Sequence, residues 1–292
     1  MELDFIRFIL AFICGFFLTV SGSLSQLVTN NGLASPSTLG FDGAAVLAII
    51  ISQILINFFG VEFSLTYLSI TLISVFVLVW ILFDHSLMRF KPVTVWSEHS
   101  MKSIVLTGLA FNLFVGALFS IIQFLYMAMN FEFPTSIWFG SLKQYSDNDL
   151  YTFIFLFIFL YLFLIKVSKK LELLNIGTSF SLGLNVNVRQ FQKTCLIVSF
   201  TLTGIVISYY GVFSFLGLVF PHILRHFSIW KNNIRGELLT GPFLTGFSFA
   251  AVDYFCSEFD FHGAEFPVGM ISSVVGAALL IIMVMRSSKN NG

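Results

Sequence analysis

The chain has 292 residues, of which 57% are hydrophobic and only 10% are charged, and its acids and bases are equal in number. Ordinary soluble domains carry about 25% charged residues, and a water-facing surface needs polar side chains that this chain does not possess. The composition therefore excludes a soluble globule. Together with a mean hydropathy of +0.92, it indicates an integral membrane protein.

Long uncharged stretches predict nine membrane spans, because a spanning helix needs roughly 20 apolar residues. Residues 151–165 are apolar on every side, which excludes the dyad alternation of a transmembrane barrel. The predicted fold class is all-α, a polytopic transmembrane helical bundle that forms a single domain over residues 1–292. The spans are 5–25, 43–60, 63–83, 103–129, 149–167, 190–208, 212–227, 237–256 and 266–286.

The positions of the charges predict the topology. Thirteen of the fifteen basic residues fall into five clusters, at 89–102, 166–170, 189–193, 225–235 and 286–289. By the positive-inside rule these clusters mark the cytoplasmic side. The opposite loops are rich in acids and are predicted to be external. Because the last basic cluster is inside and nine is an odd number of spans, the N-terminus is predicted to be outside. The three cysteines are widely spaced, which favours small core residues over a disulfide or a metal site.

Residues 191–227 are predicted to hold two short or broken spans, because Lys193 and Arg225 both lie on the inside. Glycines and Pro221 interrupt this stretch. Irregular backbone at membrane depth is tolerated only where it is buried in protein or lines a cavity. The stretch from Gly211 to Arg225 is thus a candidate pathway element, and a kinked packing helix is the alternative.

The segment from 211 to 225, GVFSFLGLVFPHILR, resembles a signature of the FecCD-type permeases, which serve ABC importers for iron chelates, haem and vitamin B12. His222 alone would more often be a packed interfacial histidine than a ligand. Its neighbours match the signature at fixed spacing. The matching residues are Gly211, Phe215, Gly217, Leu218, Pro221, His222 and Arg225.

Other segments resemble the same family in the same order, so the resemblance extends from Arg7 to Arg286. They are residues 21–43, the WFGS stretch at 138–141, the AEFPVG turn at 264–269, and Asp253. The family usually has ten spans, and the first is absent here. Either this protein lacks that helix or the given start lies downstream of the true one. The loss agrees with nine spans and an external N-terminus.

Residues 168–190 are similar to the cytoplasmic coupling helices of the family, which dock into a groove on the ATPase. Thr178 replaces the family glutamate, although it can still cap a helix. Asn185 replaces a glycine, and asparagine tolerates the left-handed conformation. An ordinary polar loop is the alternative. The candidate ATPase-coupling residues are Gly177, Thr178, Phe180, Leu184, Asn185 and Val186.

The resemblance also implies docking to an external binding protein, with Arg7, Lys143, Glu258 and Glu265 as candidate residues. In the vitamin B12 importer, permease arginines meet glutamates of the binding protein. The external segments here hold nine acids against two bases, so we expect docking of at least partly reversed polarity. The alternative is that external loops simply carry acids.

The resemblance implies a permease that is not itself an enzyme, with no cofactor, no metal site and no nucleic-acid partner. Its expected partners are a cytoplasmic ABC ATPase, an external or periplasmic binding protein, the lipid bilayer, and a second copy of the chain or a paralogue. The expected location is the bacterial cytoplasmic (inner) membrane, crossed several times.

An iron–siderophore is the expected cargo, with haem or cobalamin as alternatives, and the sequence does not say which chelate is carried. An ion-coupled secondary transporter would need intramembrane ionisable residues. Asp42 and Asp253 are the candidates, both near span ends. Asp42 is expected to be an N-cap or first-turn residue.

Overall fold

A computed structural model of the chain describes residues 2–59, 98–129, 139–143, 145–176, 188–227, 229–230, 233–261 and 264–290. These residues form nine helices and one two-stranded ribbon. The elements are α1 (Glu2–Thr29), α2 (Phe41–Phe59), α3 (Glu98–Ala128), α4 (Asp147–Ile176), α5 (Val188–Tyr210), α6 (Leu216–His226), α7 (Ile234–Leu239), α8 (Gly241–Glu258), β1 (Asp260–Phe261), β2 (Ala264–Glu265) and α9 (Val268–Asn290).

The predicted all-α polytopic bundle is confirmed. Eight of the nine predicted spans coincide with a helix, and the span at 63–83 lies outside the described residues. Four helical stretches of the described chain are long and apolar enough to cross a membrane: Phe5–Thr29, Gly108–Ala128, Asp147–Glu172 and Gln190–Tyr210. The count of nine spans and the external N-terminus stay predictions.

One predicted boundary is wrong. The span at 237–256 was expected to begin at Glu237, whereas α8 begins at Gly241 and residues before it form the separate short helix α7. The reason is local: Pro242 occupies the first turn of α8, where a proline's missing N–H costs nothing. The chain therefore restarts a helix there.

Helix α1 lies at the centre of the bundle, where it packs against α4, α5, α6 and α8. A helix that is hydrophobic all round is buried on all sides, and Leu10, Phe16 and Leu24 are fully buried. Phenylalanine rings fill the spaces between these helices. Phe16 meets Phe157 of α4 at 4.8 Å and Phe243 of α8 at 5.3 Å between ring centroids, both edge to face.

The outer helices expose apolar side chains, as a bilayer or an apolar partner requires. Leu113 of α3, Phe155 of α4 and Val274 of α9 are each more than two-thirds exposed. The cysteines are free and buried, which confirms their predicted role as small core residues; they are Cys14, Cys195 and Cys256.

Candidate functional site: a broken helix pair packed on α1

The predicted break in residues 191–227 is present. Helix α5 ends at Tyr210, and α6 begins at Leu216 after five residues of non-helical chain. Gly211 has φ of 82° and Phe215 has φ of 65°. The second value is a strained conformation for a bulky side chain. With 11 residues, α6 is about 16 Å long at 1.5 Å per residue, about half the thickness of a bilayer core.

The backbone of the break is satisfied by the short segment that precedes α4. The amide of Gly140 donates to the carbonyl of Val212 at 3.0 Å, and the amide of Ser141 donates to that of Tyr210 at 2.8 Å. The amide of Gly269, before α9, donates to the carbonyl of Gly140 at 2.9 Å. Unpaired backbone groups are costly at membrane depth, so these contacts stabilise the break. They also join three segments that the family resemblance singled out separately.

Helices α6 and α1 pack closely where two glycines, Gly217 and Gly22, face each other. A Cβ added at Gly22 would overlap the carbonyl of Gly217, whereas a Cβ added at Gly217 would lie 3.3 Å from the carbonyl oxygen of Leu18. Pro36, in the turn after α1, lies over the same glycine. Small residues allow such backbone contact between membrane helices. The close packing of α6 on α1 therefore requires a glycine at position 22, whereas position 217 could accommodate a small side chain.

Phe215 anchors the other side of the break. Helix α9 crosses it at Gly276, where an added Cβ would overlap the Phe215 side chain. A strained residue persists only where its surroundings hold it. The ring of Phe215 and the backbone of α9 therefore fix the point at which α6 starts.

His222 is held within the protein. Its Nδ1 lies 3.1 Å from the carbonyl oxygen of Leu218, one turn earlier in α6. Gly32, in the turn after α1, faces the opposite edge of the ring, since an added Cβ there would lie 3.4 Å from Cε1 and Nε2. These contacts place His222 at the packing interface between α6 and the α1–α2 turn.

Arg225, the last signature residue, is bound by two other elements. Its Nε and Nη2 donate to the carboxylate of Glu237 in α7, at 2.9 and 2.7 Å. Its Nη1 donates to Oε1 of Gln26 in α1 at 2.7 Å. Gln26 in turn donates to the carbonyl of Leu218 at 3.3 Å. The arginine therefore ties α6 to α1 and α7.

A stripe of hydroxyl side chains joins α1 to α5. The hydroxyl of Ser199 donates to the carbonyl of Ser21 at 2.7 Å and pairs with the hydroxyl of Ser25 at 2.8 Å. The hydroxyl of Ser21 pairs with that of Thr203 at 2.7 Å. All four side chains are buried. Such contacts hold membrane helices together where apolar burial cannot.

The candidate docking residues lie in different settings. The guanidinium of Arg7 is bound to Asp253 and is 14% exposed. Lys143 and Glu258 are exposed, the latter at the end of α8. Glu265 lies in β2, where its backbone pairs with Asp260 of β1.

The six candidate ATPase-coupling residues all lie in 177–187, outside the described residues. The helices on either side are described: α4 ends at Ile176 and α5 begins at Val188. Asp42 lies in the first turn of α2, as predicted, and is buried.

Sequence reasoning missed Gln26 and Glu237 as partners of the signature arginine. A signal was available for one of them. Glu237 is an acid beside the basic cluster at 225–235 and at the first position of a predicted span, where a carboxylate is costly unless it is paired. Gln26 carries no such signal, since its role follows from the packing of α1 on α6.

The structure is a multi-pass bundle in which a half-length helix packs on a central helix through glycines. The irregular backbone at its core has its hydrogen-bonding groups paired. These features are typical of a membrane transport protein. The sequence model of the FecCD transport family matches residues 1–286. The chain belongs to this family and is a multi-pass ABC transporter permease of the bacterial cytoplasmic membrane. Its family is one of transport permeases, not of catalytic subunits.

Curated relatives match along almost the whole chain. An uncharacterized ABC transporter permease of Bacillus subtilis is 27% identical over 99% of this chain and 79% of its own length. The hemin transport system permease of Yersinia pestis is 27% identical over 96% and 81%. The iron(3+)-hydroxamate import system permease of Bacillus subtilis is 25% identical over 97% and 82%.

A solved structure shares the fold. It is an inward-facing conformation of a protein provisionally assigned to the metal-chelate type of ABC transporter. It superimposes with a TM-score of 0.74 over 96% of this chain and 85% of its own, at 21% identity.

Proposed function

We propose that this chain is the membrane-spanning subunit of a binding-protein-dependent ABC importer that carries an iron–siderophore chelate into the cell. The observation that carries the proposal is the α5–α6 break, with its signature residues packed on α1. The relatives support the substrate class, because one is named for iron(3+)-hydroxamate import and another for hemin transport. Haem is the second candidate cargo on the same ground.

The proposed mechanism is alternating access driven by a separate ATPase. ATP would close two ATPase subunits on the cytoplasmic side, and the segment 168–190, which includes the end of α4 and the start of α5, would pass that displacement to these two helices. Packed helices move as rigid bodies between discrete arrangements. Helix α6 contacts α1 by backbone and is tied to it through Arg225 and Gln26. It would therefore move with α1 rather than bend alone.

A second permease copy is part of the proposal. The signature occurs once in the 292 residues, and alternating access in this family takes place between two bundles. The exposed apolar faces of α3, α4 and α9 give ample surface for a second copy as well as for lipid. We propose a homodimer, and a paralogue in place of the second copy is the outcome that a mass measurement would reveal.

Transport tests this function directly. The chain, its partner ABC ATPase and its binding protein are reconstituted in liposomes loaded with ATP, and uptake of labelled ferric siderophore, haem and cobalamin is compared. We expect uptake of the siderophore that requires both ATP and the binding protein. Uptake driven by an ion gradient without ATP would overturn the proposal, and preference for haem or cobalamin would reassign the cargo.

A separate variant tests the coupling segment, residues 168–190. Scrambling residues 177–185 should abolish copurification of the ATPase while leaving the membrane level of the permease unchanged. Scrambling the polar residues 143–146, on the predicted external side, is the control and should leave ATPase binding intact. If the ATPase remained bound to the first variant, the assignment of these residues would be wrong.

We propose further that the binding protein docks through basic residues. The guanidinium of Arg7 is mostly buried and bound to Asp253, so it offers little to a partner. Glu258 is exposed at the same end of α8. Complementary charge governs the rate and orientation of docking.

A pair of opposite changes tests this polarity. Glu258→Lys should slow association with the binding protein and Lys143→Glu should speed it, each by roughly 3-fold to 10-fold at low salt and less at high salt. Surface plasmon resonance on permease in nanodiscs measures both rates. The reverse pattern would show that the partner presents acids.

A further inference from the structure

The short helix α7 carries two charged residues that bind two different parts of the bundle. Asn233 caps the helix, because its side chain accepts a hydrogen bond from the amide of Gly236 at 2.9 Å. Arg235 and Glu237, two positions apart, then point to different partners. One partner lies in α6 and the other in α4.

The contact with α6 is partly buried. The Glu237 side chain is 4% exposed and accepts two hydrogen bonds from Arg225. A buried carboxylate that lost this partner would be left without compensation, which is strongly unfavourable. Helices α6 and α7 are therefore held as one unit.

The contact with α4 is exposed. Nε of Arg235 lies 2.7 Å from Oε2 of Glu172, and the two side chains are 49% and 43% exposed. Exposed ion pairs contribute little to stability and can be broken and remade. Glu172 lies four residues before Ile176, the last residue of α4, and residues 177–187 follow.

We propose that α7 is a clasp that positions the signature helix α6 relative to the cytoplasmic end of α4, with Arg235, Glu237 and Glu172 as positioning residues. The proposal rests on the proposed function, in which the segment after α4 receives the displacement of the ATPase. In this proposal the Glu237–Arg225 ion pair is kept in both states of the transporter, and the Arg235–Glu172 ion pair can break. A displacement of the end of α4 would thus reach α6 through α7, which packs against α4 and is joined to it by an ion pair that can change partners between the two states.

The geometry favours this assignment over a purely structural role. Packing alone would be served as well by apolar residues, since a buried pair replaced by apolar side chains is often no less stable. The chain instead places opposite charges on one helix of six residues. The buried one faces the signature helix, and the exposed one faces the helix that leads to the coupling segment.

The test uses the assembled complex of permease, ATPase and binding protein in liposomes, with transport and ATP hydrolysis measured together. Arg235→Glu and Glu172→Arg should each lower the number of chelates carried per ATP by about 3-fold to 10-fold, and Arg235→Glu, which lies outside residues 168–190, should do so with basal hydrolysis and complex yield unchanged. The double variant Glu172→Arg/Arg235→Glu restores an ion pair of reversed sense. It should return the ratio to within about 2-fold of the wild type.

Lys166→Glu is the matched control, because Lys166 is an exposed base of α4 that lies before residues 168–190 and the change removes the same charge as Arg235→Glu. It should leave the ratio unchanged. A ratio that is unaffected in the single variants, or that the double variant fails to restore, would overturn the clasp. Equal loss in Lys166→Glu would show a general charge effect and would overturn it as well.

A second measurement distinguishes failure of the clasp from failure of the proposed transport function. Spin labels at Lys166 in α4 and Ile223 in α6, each measured against Phe124 in α3, report whether the two helices move on ATP binding; all three positions are exposed. We expect both distances to change in the wild type and only that of Lys166 in Arg235→Glu. If this holds while no chelate is carried, the function is wrong and the clasp stands. If both distances still change in the variant, the clasp is wrong.

Discussion

Arg7, near the start of α1, donates two hydrogen bonds to the carboxylate of Asp253 in α8. The distances are 2.8 Å from Nε to Oδ2 and 3.1 Å from Nη2 to Oδ1. The two side chains are 14% and 2% exposed. A two-pronged pair of this kind fixes both the distance and the rotation between two helices. It therefore locks the predicted external ends of α1 and α8 together.

Removing one partner of this pair should destabilise the permease, and Arg7→Ala should do so more than Asp253→Ala. The first change leaves a deeply buried carboxylate, which costs about 3–5 kcal/mol when a buried pair is broken. The second leaves a long side chain that can extend toward water. Thermal inactivation of a fluorescent fusion in detergent measures the order.

Arg7→Lys is the conservative control and should lie between wild type and Arg7→Ala, because an ammonium group cannot form the two-pronged contact. The exchange Arg7→Asp/Asp253→Arg should recover part of the loss. Equal stability of all variants would show that the pair contributes nothing to the fold.

The contact between Gly22 and Gly217 predicts an asymmetric response to the same substitution. Gly22→Ala places its Cβ on the carbonyl of Gly217, so α1 and α6 must separate. Overpacking of a tight contact costs about 1–3 kcal/mol or more. Gly217→Ala meets the carbonyl oxygen of Leu18 at 3.3 Å and needs a shift of only a few tenths of an ångström.

We therefore expect Gly22→Ala to lower the yield of folded permease and to abolish transport, and Gly217→Ala to retain most of both. Membrane yield by in-gel fluorescence and uptake in liposomes are the measurements. Comparable damage from the two substitutions would contradict the contact described here.

The spans and the helix break could be predicted from the sequence because they depend on local properties. Apolar length marks the spans, and the predicted location of both Lys193 and Arg225 on the inside required a break between them. The structure adds that α6 is only 11 residues long. The positions of charges cannot show this, because they predict only whether the chain crosses the membrane an even or an odd number of times, and not how far each helix extends into it.

Long-range partners could not be predicted from the sequence. Arg7 was expected to face a binding protein, and nothing local distinguishes that setting from an internal ion pair with a residue 246 positions away. The same holds for Arg225 and Gln26, whose contact follows from the packing of α6 on α1. The signature spacing identified the segment, and its contacts depend on helices that the spacing does not describe.

The hydroxyl stripe between α1 and α5 predicts a modest effect of Ser199→Ala. The change removes the donor to the carbonyl of Ser21 and the partner of Ser25. Interhelical hydrogen bonds in membranes contribute about 0.6 kcal/mol on average and about 1.7 at most. We expect a loss of roughly 1 kcal/mol by that scale, measured as reduced resistance to denaturing detergent.

Thr201→Ala is the matched control, since Thr201 lies on the exposed side of the same helix and bonds only within it among the contacts described. It should have no effect on detergent resistance. A larger loss from Thr201→Ala than from Ser199→Ala would mean that the stripe does not stabilise the α1–α5 interface.

Asn112 of α3 joins two points of the α1–α2 connection, and both halves of its amide are used. Its Nδ2 donates to the carbonyl of Ser37 at 2.5 Å, and its Oδ1 accepts from the amide of Gly43 at 2.8 Å. Asn112→Ala leaves both backbone groups without this partner, at about 1–3 kcal/mol for each that stays buried.

Asn112→Asp should be at least as damaging, although it is nearly the same size. A carboxylate can still accept from Gly43, but it cannot donate to Ser37 and would place a negative charge against that carbonyl and near Asp42. Ser120→Ala, on an exposed part of the same helix, should be neutral. Thermal inactivation of the four proteins ranks them, and an Asn112→Asp variant as stable as the wild type would show that the donated hydrogen bond is dispensable.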